Sequence, residues 1–362
     1  MNRITEVIQK AQAQNASDVH VVRGLPIRLR IDGKLRDFDE RVLTGQDCEE
    51  IALSLCGDRY EGIRQRGELD YAFTVGDGIR CRMNVFRQQG SASIAIRLLR
   101  SGIPTIEELY LPPIVESFAE FQRGIVVITG AAGSGKSTTL AALLGRINHT
   151  RRQHIVTLED PIEYIYAPDK CTINQREIGT DTESYASGLR AALRSDPDVI
   201  LIGEMRTRET IATALTAAET GHLVFTTLHT SSAPDAIDRI VDVFPGEQQL
   251  QVRMQLSMTL RAVLSQQLLP RKGGPGRIVA CEVMIPNNAI RSLIRDGKSP
   301  QIVNALATSA AEGNITMDNA LIKMTHNGVI SAETAILAAQ DADYVKKSLG
   351  FMPDSVSRMV GK

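Results

Sequence analysis

The chain of 362 residues is long enough for two or three domains, and a composition of 43% hydrophobic and 23% charged residues excludes an intrinsically disordered protein. A formal net charge of −1 excludes a protein that coats nucleic acid or anionic lipid with its whole surface, and we predict no nucleic-acid partner. Five widely spaced cysteines without a CxxC pair indicate a reducing compartment and neither a disulfide framework nor a zinc site.

The N-terminus has no hydrophobic segment of the signal-peptide type. No uninterrupted apolar run approaches the roughly 18 residues that a membrane-spanning helix needs. We therefore predict a cytoplasmic protein whose membrane contact is peripheral.

Residues 1–100 have the pattern of a small α/β domain. A leading amphipathic helix is followed by the strand-like runs VHVVR and IRLRID, a helical stretch near 46–66, and the strand-like runs LDYAFTV, GIRCRMNVF and ASIAIRLL. The stretch 101–114 contains three prolines and loses this periodicity, so it is predicted to be a linker.

From about residue 115 the pattern changes to that of an α/β domain with a mostly parallel sheet. The short apolar runs GIVVITG, HIVTLED, DVILIGE and HLVFTTL alternate with helix-like segments. Such continuous apolar runs are typical of parallel strands that are buried on both faces. After about residue 285 the pattern is helical.

The segment GAAGSGKST satisfies the P-loop pattern between a predicted strand and a predicted helix. Its glycines let backbone N–H groups turn toward the phosphates of ATP, Lys136 reaches the β- and γ-phosphates, and Ser137 can bind Mg²⁺. The alternative is a glycine-rich turn that matches by chance, which the flanking strand and helix disfavour. The predicted nucleotide-binding residues are Gly130, Gly133, Ser134, Gly135, Lys136, Ser137 and Thr138.

Acidic side chains follow two of the predicted parallel strands. TLEDPIEY places Glu163 after one strand, and DVILIGEMR places Glu204 after another. Both would lie at the edge of the sheet where the P-loop itself lies. We assign Glu204 to the Mg²⁺ shell through water and Glu163 to polarising the attacking water. For Glu159 or Asp160 taken alone, a helix cap or surface acid is the better interpretation.

Four motifs follow one another along the chain: the P-loop (Walker A), TLEDPIEY (the Asp box), DPDVILIGEMR (Walker B) and TAAETGHLVFTTLHT (the His box). Their order resembles the secretion ATPase superfamily of type II secretion, type IV pili and conjugation. NASDVHV and GELDYAFTVGDGIRCRMNVF are similar to the opening and to the PAS-like domain of that superfamily. The resemblance implies a PAS-like α/β domain (1–100), a linker (101–114), a RecA-like ATPase core (115–285) and a helical C-terminal extension (286–362).

Within the superfamily, the chain is most similar to the pilus retraction ATPases. AIRSLIR (289–295) is similar to their AIRNL motif, and the chain starts at the PAS-like domain without the extra N-terminal domain and four-cysteine zinc insertion usual in assembly ATPases. The resemblance makes this segment a retraction element, while the residues alone indicate only an amphipathic helix packed on the domain. The residues concerned are Ala289, Ile290, Arg291 and Leu293.

The resemblance also implies a function and partners. The function is that of a homohexameric, Mg-dependent ATPase that drives pilin disassembly for twitching motility at the inner face of the cytoplasmic membrane. The implied partner is a PilC-like platform protein, and another pilus ATPase is a further candidate partner. Three alternatives stay open: a motor for pilus assembly, secretion or conjugation, an accessory ring that holds ATP without turnover, and a RecA-like DNA motor.

The resemblance assigns two arginines of the N-terminal domain to the active site of a neighbouring subunit. Arg82 and Arg97 lie on predicted strands, and an arginine supplied by a neighbour can stabilise γ-phosphate charge. The alternative is that both are solubilising surface residues.

Two histidines bracket the apolar run of TGHLVFTTLHT. Seven residues separate His222 from His229, too far in a strand or a helix for both rings to bind one metal ion. We predict His229 at the catalytic end of a strand, in contact with the γ-phosphate or its water, and His222 at the start, in an inter-domain or inter-subunit contact. For either ring taken alone, a satisfied core histidine is the alternative.

Overall fold

The computed structural model describes residues 3–31, 33–76, 78–99 and 102–351. The chain divides into two compact units, one formed by Met1–Gly102 with Pro161–Ile165 and the other by Ile103–Asp160 with the chain from Tyr166 onward. Residue 101 of the predicted linker and residues 352–362 of the predicted extension lie outside the described residues. Among the helices that the structure describes, none combines the length and the apolar character that a membrane crossing requires.

The first unit contains an antiparallel sheet. Its strands are β1 (Asp18–Val21), β2 (Arg28–Ile31), β3 (Lys34–Asp37), β4 (Glu68–Val75), β5 (Ile79–Gln88) and β6 (Ser91–Leu98). They lie in the order β3-β2-β1-β6-β5-β4, and every neighbouring pair is antiparallel. The helices are α1 (Arg3–Ala13), α2 (Gly45–Cys56) and α3 (Tyr60–Arg66). The edge strand β3 is the one strand of this sheet that the sequence did not predict.

The hydrophobic core of this unit is formed by one side of the sheet and by its helices. On β5 burial alternates residue by residue, so Met83 is buried whereas the neighbouring Arg82 is partly exposed. Thr44 and Asp47 form a capping box, which fixes where α2 begins. The unit therefore has a buried apolar face and a face that presents charged side chains.

The second unit is built on a mostly parallel sheet. Its strands are β7 (Gly124–Thr129), β8 (His154–Glu159), β9 (Thr172–Glu177), β10 (Val199–Ile202), β11 (Leu223–Leu228), β12 (Leu260–Pro270) and β13 (Arg277–Met284). They lie in the order β13-β12-β7-β11-β10-β8-β9, and only the β12–β13 pair among them is antiparallel. Every residue of β7, β10 and β11 is buried, as expected for strands covered on both faces.

Helices follow most strands of this unit. They are α4 (Lys136–Thr150), α5 (Tyr185–Ala192), α6 (Arg208–Glu219), α7 (Ala233–Asp242), α8 (Gly246–Thr259), α9 (Asn288–Arg295), α10 (Ile302–Thr308), α11 (Met317–His326), α12 (Ala332–Ala338) and α13 (Ala342–Ser348). Side-chain caps start several of them; Ser232, for example, accepts a hydrogen bond from the Asp235 N–H at the start of α7. By contrast, α4 follows Gly135, which has no side chain to cap it.

Six strands of this sheet run in the same direction, and the predicted motifs follow four neighbouring strands among them. β7, β11, β10 and β8 are neighbours and run in the same direction. The residues that follow their ends include Gly130, His229, Gly203 and Asp160. In open sheets of this kind, ligands bind outside the carboxyl ends of the strands. The fold therefore brings the predicted P-loop, Walker B and His-box residues to one edge.

Candidate active site

The P-loop connects β7 to α4 and is tightly packed at its first residue. Gly130 has a φ of 143°, and a Cβ atom at this position would lie 2.4 Å from the backbone oxygen of Gln266 and 2.6 Å from Ser134 Oγ. Both the conformation and the space therefore require glycine. The buried Ser134 Oγ has no hydrogen-bond partner among the described residues, which fits a loop that closes around an external acceptor.

Lys136 is the first residue of α4 and is largely buried. Its Nζ donates hydrogen bonds to the backbone oxygens of Gly130 at 2.8 Å and Ala131 at 3.0 Å. The ammonium group thus lies inside the curve of the loop, at the N-terminus of a 15-residue helix. A positive charge at a helix N-terminus with inward-facing N–H groups is the arrangement that binds phosphate.

The P-loop helix is also held by the neighbouring strand β12. Gln266 is buried on β12, and its Nε2 donates to Thr139 Oγ1 of α4 at 2.9 Å. This side-chain bond fixes the first turns of α4 against the sheet. Gln266 could not be predicted from the sequence, because it lies far from the P-loop in the chain and has no motif of its own.

Three predicted residues meet beside the P-loop. His229 Nδ1 lies 3.5 Å from Lys136 Nζ, and His229 Nε2 lies 3.4 Å from Glu204 Oε1. Arg206 Nε contacts the same carboxylate oxygen at 2.6 Å, and this hydrogen bond raises the pKa of Arg206. Lys136, His229 and Glu204 therefore form a continuous row that runs from an ammonium group through the imidazole to a carboxylate. Arg206 continues the row on the exposed side.

A buried phenol lies next to the Walker B end of β10. A Cβ atom at Gly203 would lie 3.0 Å from Tyr185 Oη and 3.2 Å from the Leu158 backbone oxygen, so glycine permits this close packing. Burial raises the pKa of Tyr185, and the negative charges of Asp160 and Glu204 raise it further. Tyr185 therefore remains a neutral hydrogen-bond donor among carboxylates. It is the first residue of α5, and no local pattern in the sequence indicates it.

The loop after β11 is tied to the sheet at two points. Thr129 Oγ1 donates to the Thr230 backbone oxygen at 2.7 Å and accepts from the Thr230 N–H at 2.9 Å. Ser265 Oγ donates to the Ser231 backbone oxygen at 2.7 Å. These bonds hold residues 229–232, here called the His229 loop, against β12 and against the end of β7, directly before the P-loop. None of these residues was predicted as a site residue, although Thr129 directly precedes the P-loop and Thr230 is the last residue of the His box.

His222 lies at the opposite end of β11. Its backbone N–H and its ring Nδ1 both contact the Ala217 backbone oxygen, at 3.1 and 2.9 Å, and the ring also lies 3.3 Å from Thr220 Oγ1. The ring thus closes the end of α6 through local contacts. His222 is only partly buried, so it is not a core residue, and its inter-domain or inter-subunit contact stays a prediction.

Glu163, Arg82 and Arg97 belong to the first unit. Arg82 on β5 and Arg97 on β6 lie directly opposite each other. Each has an acidic neighbour: Arg82 Nε lies 3.6 Å from Asp70 Oδ1, and Arg97 Nε lies 3.0 Å from Asp18 Oδ1. Their side chains are 41% and 66% exposed, so both remain accessible in this chain.

The AIRSLIR segment forms α9, as predicted. Ile290 is fully buried, Leu293 packs partly buried against the core, and Ala289 is exposed. The Arg291 guanidinium donates to the backbone oxygens of Ser257 and, at 3.2 Å, Leu260, at the end of α8. Burial lowers the pKa of Arg291, and two neighbouring arginines add to the effect. Arg291 is therefore a structural link between two helices.

Known proteins match this chain over most of its length. A family described as "Type II/IV secretion system protein" matches residues 1–337. The "Type IV pilus retractation ATPase PilT" of Pseudomonas aeruginosa is 44% identical over 333 residues, which cover 92% of this chain and 96% of that protein. The "Twitching motility protein" of Neisseria gonorrhoeae is 42% identical over 341 residues, covering 94% of this chain and 91% of that protein.

A solved structure agrees with these matches. The crystal structure of the pilus retraction motor PilT with bound ADP superimposes with a TM-score of 0.89 at 44% identity, covering 96% of this chain and 100% of that chain. The resemblance, the α/β fold class and the ATPase assignment predicted from the sequence are therefore confirmed. The chain is a member of the Type II/IV secretion system protein family, and within that family it is an ATPase of the PilT type.

Proposed function

We propose that the protein is the ATP-hydrolysing motor of type IV pilus retraction. The row of Lys136, His229 and Glu204 beside the P-loop supports ATP hydrolysis, because it provides a phosphate-binding cation, a polar ring and an acid within contact distance of one another. The names of the similar proteins, which refer to retraction and twitching motility, support the biological role.

Each residue of the site has a proposed role. Lys136 neutralises the β- and γ-phosphates, and His229 contacts the γ-phosphate or its water. Glu163 polarises the attacking water as a general base. Arg82 and Arg97 act on the nucleotide of a neighbouring subunit and stabilise the charge of the transition state. The backbone N–H groups from Gly130 to Thr138 orient the phosphates.

Magnesium fits the residues that the chain provides. Ser137 offers a hydroxyl directly after the P-loop lysine, and Glu204 offers a carboxylate that would act through water. Within the described ranges no group of three or more His, Cys, Asp or Glu side chains forms a complete metal site. An ion that takes most of its ligands from phosphates and water agrees with this small protein contribution. When bound, it would neutralise charge on the phosphates.

The assembly and location are also proposed from the resemblance. The working form is a homohexamer at the inner face of the cytoplasmic membrane, where it acts on an inner-membrane platform protein and, as a further candidate partner, another pilus ATPase. We keep the predicted division into a PAS-like domain (1–100), a linker (101–114), an ATPase core (115–285) and a helical extension (286–362).

The enzymatic part is tested by steady-state ATP hydrolysis. Glu204→Gln is expected to lower kcat by about 10²-fold or more, because the site loses the carboxylate that we assign to the Mg²⁺ shell and that contacts His229. Glu209→Gln is the matched control, since Glu209 lies on the nearby α6 and its side chain is 61% exposed. Equal rates for the wild type and Glu204→Gln would contradict hydrolysis at this site.

The biological part is tested in cells. A strain that lacks the protein is expected to keep its surface pili and to lose twitching movement. Loss of the pili themselves would favour the alternative of an assembly motor. A phenotype that Glu204→Gln complements as well as the wild type would instead favour an accessory ring that binds ATP without turnover.

A further inference from the structure

A buried carboxylate joins two helix N-termini in the second unit. Glu282 on β13 is 1% exposed. Its Oε1 accepts a hydrogen bond from the Ala233 N–H at 2.7 Å, and its Oε2 accepts from the Met317 N–H at 3.4 Å. Ala233 is the first residue of α7 and Met317 is the first residue of α11. A buried acid placed this way satisfies free N–H groups of both helices and interacts with both dipoles.

The first of these helices begins at the end of the His229 loop. Ser232 is the last residue of the loop, directly before Ala233, and its hydroxyl caps α7. The loop is already tied to β7 through Thr230 and to β12 through Ser231. The bond from the Ala233 N–H to Glu282 is a third tether, placed four residues after the imidazole. It fixes the position at which the loop turns into α7.

The same carboxylate reaches the C-terminal helices. Gln340 Nε2 donates to Glu282 Oε2 at 3.3 Å, and Gln340 lies in the connector between α12 and α13. Asp318 of α11 holds that connector from another side, because its carboxylate accepts from the Gln340 N–H at 2.8 Å and the Asp341 N–H at 3.0 Å. Glu282 is therefore shared between the His229 loop and the C-terminal helices, whereas these two bonds of Asp318 stay within the C-terminal helices.

We infer that Glu282 is a positioning residue for ATP hydrolysis, which holds the His229 loop in place by joining the start of α7 to α11 and the α12–α13 connector. The inference rests on the proposed function, since it assigns Glu282 to the step in which His229 takes part. Burial raises the pKa of Glu282, whereas its hydrogen bonds lower it. With its partners in place, the carboxyl group is held at one point relative to both helices.

The test compares Glu282→Gln with Asp318→Asn. Both changes replace a buried acid by its amide, and both affect contacts of Gln340, but only Glu282 contacts α7. In Glu282→Gln, the NH₂ group of the amide faces one of the two backbone N–H groups that now donate to the carboxylate. Two donors then face each other, and that hydrogen bond is lost. We expect Glu282→Gln to lower kcat about tenfold with unchanged KM, because a small displacement of a catalytic loop has a large effect on rate. Asp318→Asn should leave kcat within about twofold of the wild type.

Hydrogen exchange gives a second measurement that does not depend on turnover. Amides of residues 229–233 should exchange faster in Glu282→Gln, whereas Asp318→Asn should affect only residues 338–341. Equal kcat values for the two variants, or unchanged exchange at 229–233, would overturn the inference. If Glu282→Gln does not fold, Glu282→Asp keeps the charge, and its shorter side chain is expected to lose one of the two helix contacts with the same effects.

The outcome separates this inference from the proposed function. A wild-type protein that does not hydrolyse ATP would contradict the proposed function, and the exchange measurement would still test the tether. A wild-type protein that hydrolyses ATP, together with a Glu282→Gln variant of normal kcat and normal exchange, would contradict the tether alone.

Discussion

The two sheets of this protein place their polar side chains differently. In the first unit, burial alternates along β5, so arginines stand along one face of an antiparallel sheet. In the second unit, β7, β10 and β11 are buried over their whole length, and Lys136, Glu204 and His229 all follow the ends of strands. A parallel sheet covered on both faces leaves only its ends for chemistry, whereas an antiparallel sheet can offer a face.

The largest expected effect comes from the edge of the parallel sheet. Lys136→Ala removes the ammonium group from the P-loop, and nucleotide affinity should fall by about 10²-fold or more. Titration with a fluorescent ATP analogue measures the change. Lys170→Ala, at an exposed position of the same unit, is the control. Unchanged affinity in Lys136→Ala would mean that the nucleotide binds elsewhere.

The two histidines at the ends of β11 allow the catalytic end of a strand to be compared with its opposite end. His229→Ala should lower kcat by about 10- to 100-fold, because one polar contact to the reacting groups is lost. His222→Ala should leave kcat unchanged and lower the free energy of unfolding by about 1 kcal/mol, since the end of α6 loses a local partner. ATPase assays and denaturant unfolding measure the two effects. Equal kcat values for the two variants would contradict the distinction between the strand ends.

The arginines of the antiparallel sheet test whether its face takes part in chemistry. Arg97→Ala should lower kcat about tenfold, a smaller effect than for His229 because Arg82 remains directly opposite. If the site is shared between subunits as proposed, mixing Arg97→Ala subunits with Glu204→Gln subunits should restore part of the activity, since some sites then contain both wild-type groups.

Asp18→Asn is the matched control for Arg97. It breaks the ion pair with Arg97 and keeps the guanidinium, so kcat should not change. If Arg97→Ala also has normal kcat and loses at most about 1 kcal/mol of unfolding free energy, the arginine is a surface ion-pair residue only.

The smallest effect concerns one thiol in each sheet. Burial raises the pKa of Cys81 on β5 and of Cys281 on β13 to about 12. Because the folded state then holds these protons more tightly than the unfolded chain, the stabilisation is fully present below pH 9 and declines as the pH rises from 9 towards 12. At pH 8 neither thiol should react with a disulfide reagent in the native state.

The change of unfolding free energy with pH tests the prediction for these two thiols. Unfolding of Cys81→Ala and Cys281→Ala between pH 8 and 11 should show a shallower decline than that of the wild type. Rapid native-state labelling of either thiol at pH 8 would show that the sheet around it opens locally.

Much of the fold could be predicted because the relevant patterns are local. β7, β8, β10 and β11 are continuous apolar runs next to motifs, so both their position and their parallel pairing followed from the sequence. β3 and β9 could not be recognised in this way, since KLRD and TINQRE are polar edge strands that form through main-chain pairing with a neighbour. β12 follows α8 without a break, and its apolar residues continue the helical segment.

The residues of the site show the same difference between local sequence patterns and tertiary packing. The P-loop, Glu204 and His229 lie in contiguous motifs whose chemistry can be recognised one segment at a time. Tyr185, Gln266 and Glu282 come close to these motifs only through tertiary packing, and none has a local pattern that distinguishes it from an ordinary helix or strand residue. The groups proposed to contact the nucleotide could be recognised from the sequence more readily than the groups that hold them in place.

The bond network of Arg291 has a consequence for protein engineering. Because the Arg291 guanidinium binds backbone oxygens at the end of α8, the AIRSLIR segment cannot be transferred between proteins as a separate unit. A chimaera that transplants residues 287–296 into a related motor would place the arginine against another helix end, whose backbone oxygens need not lie at the same positions. The smallest portable module therefore starts at Gly246, the first residue of α8, and includes both helices together with the strands β12 and β13 that connect them.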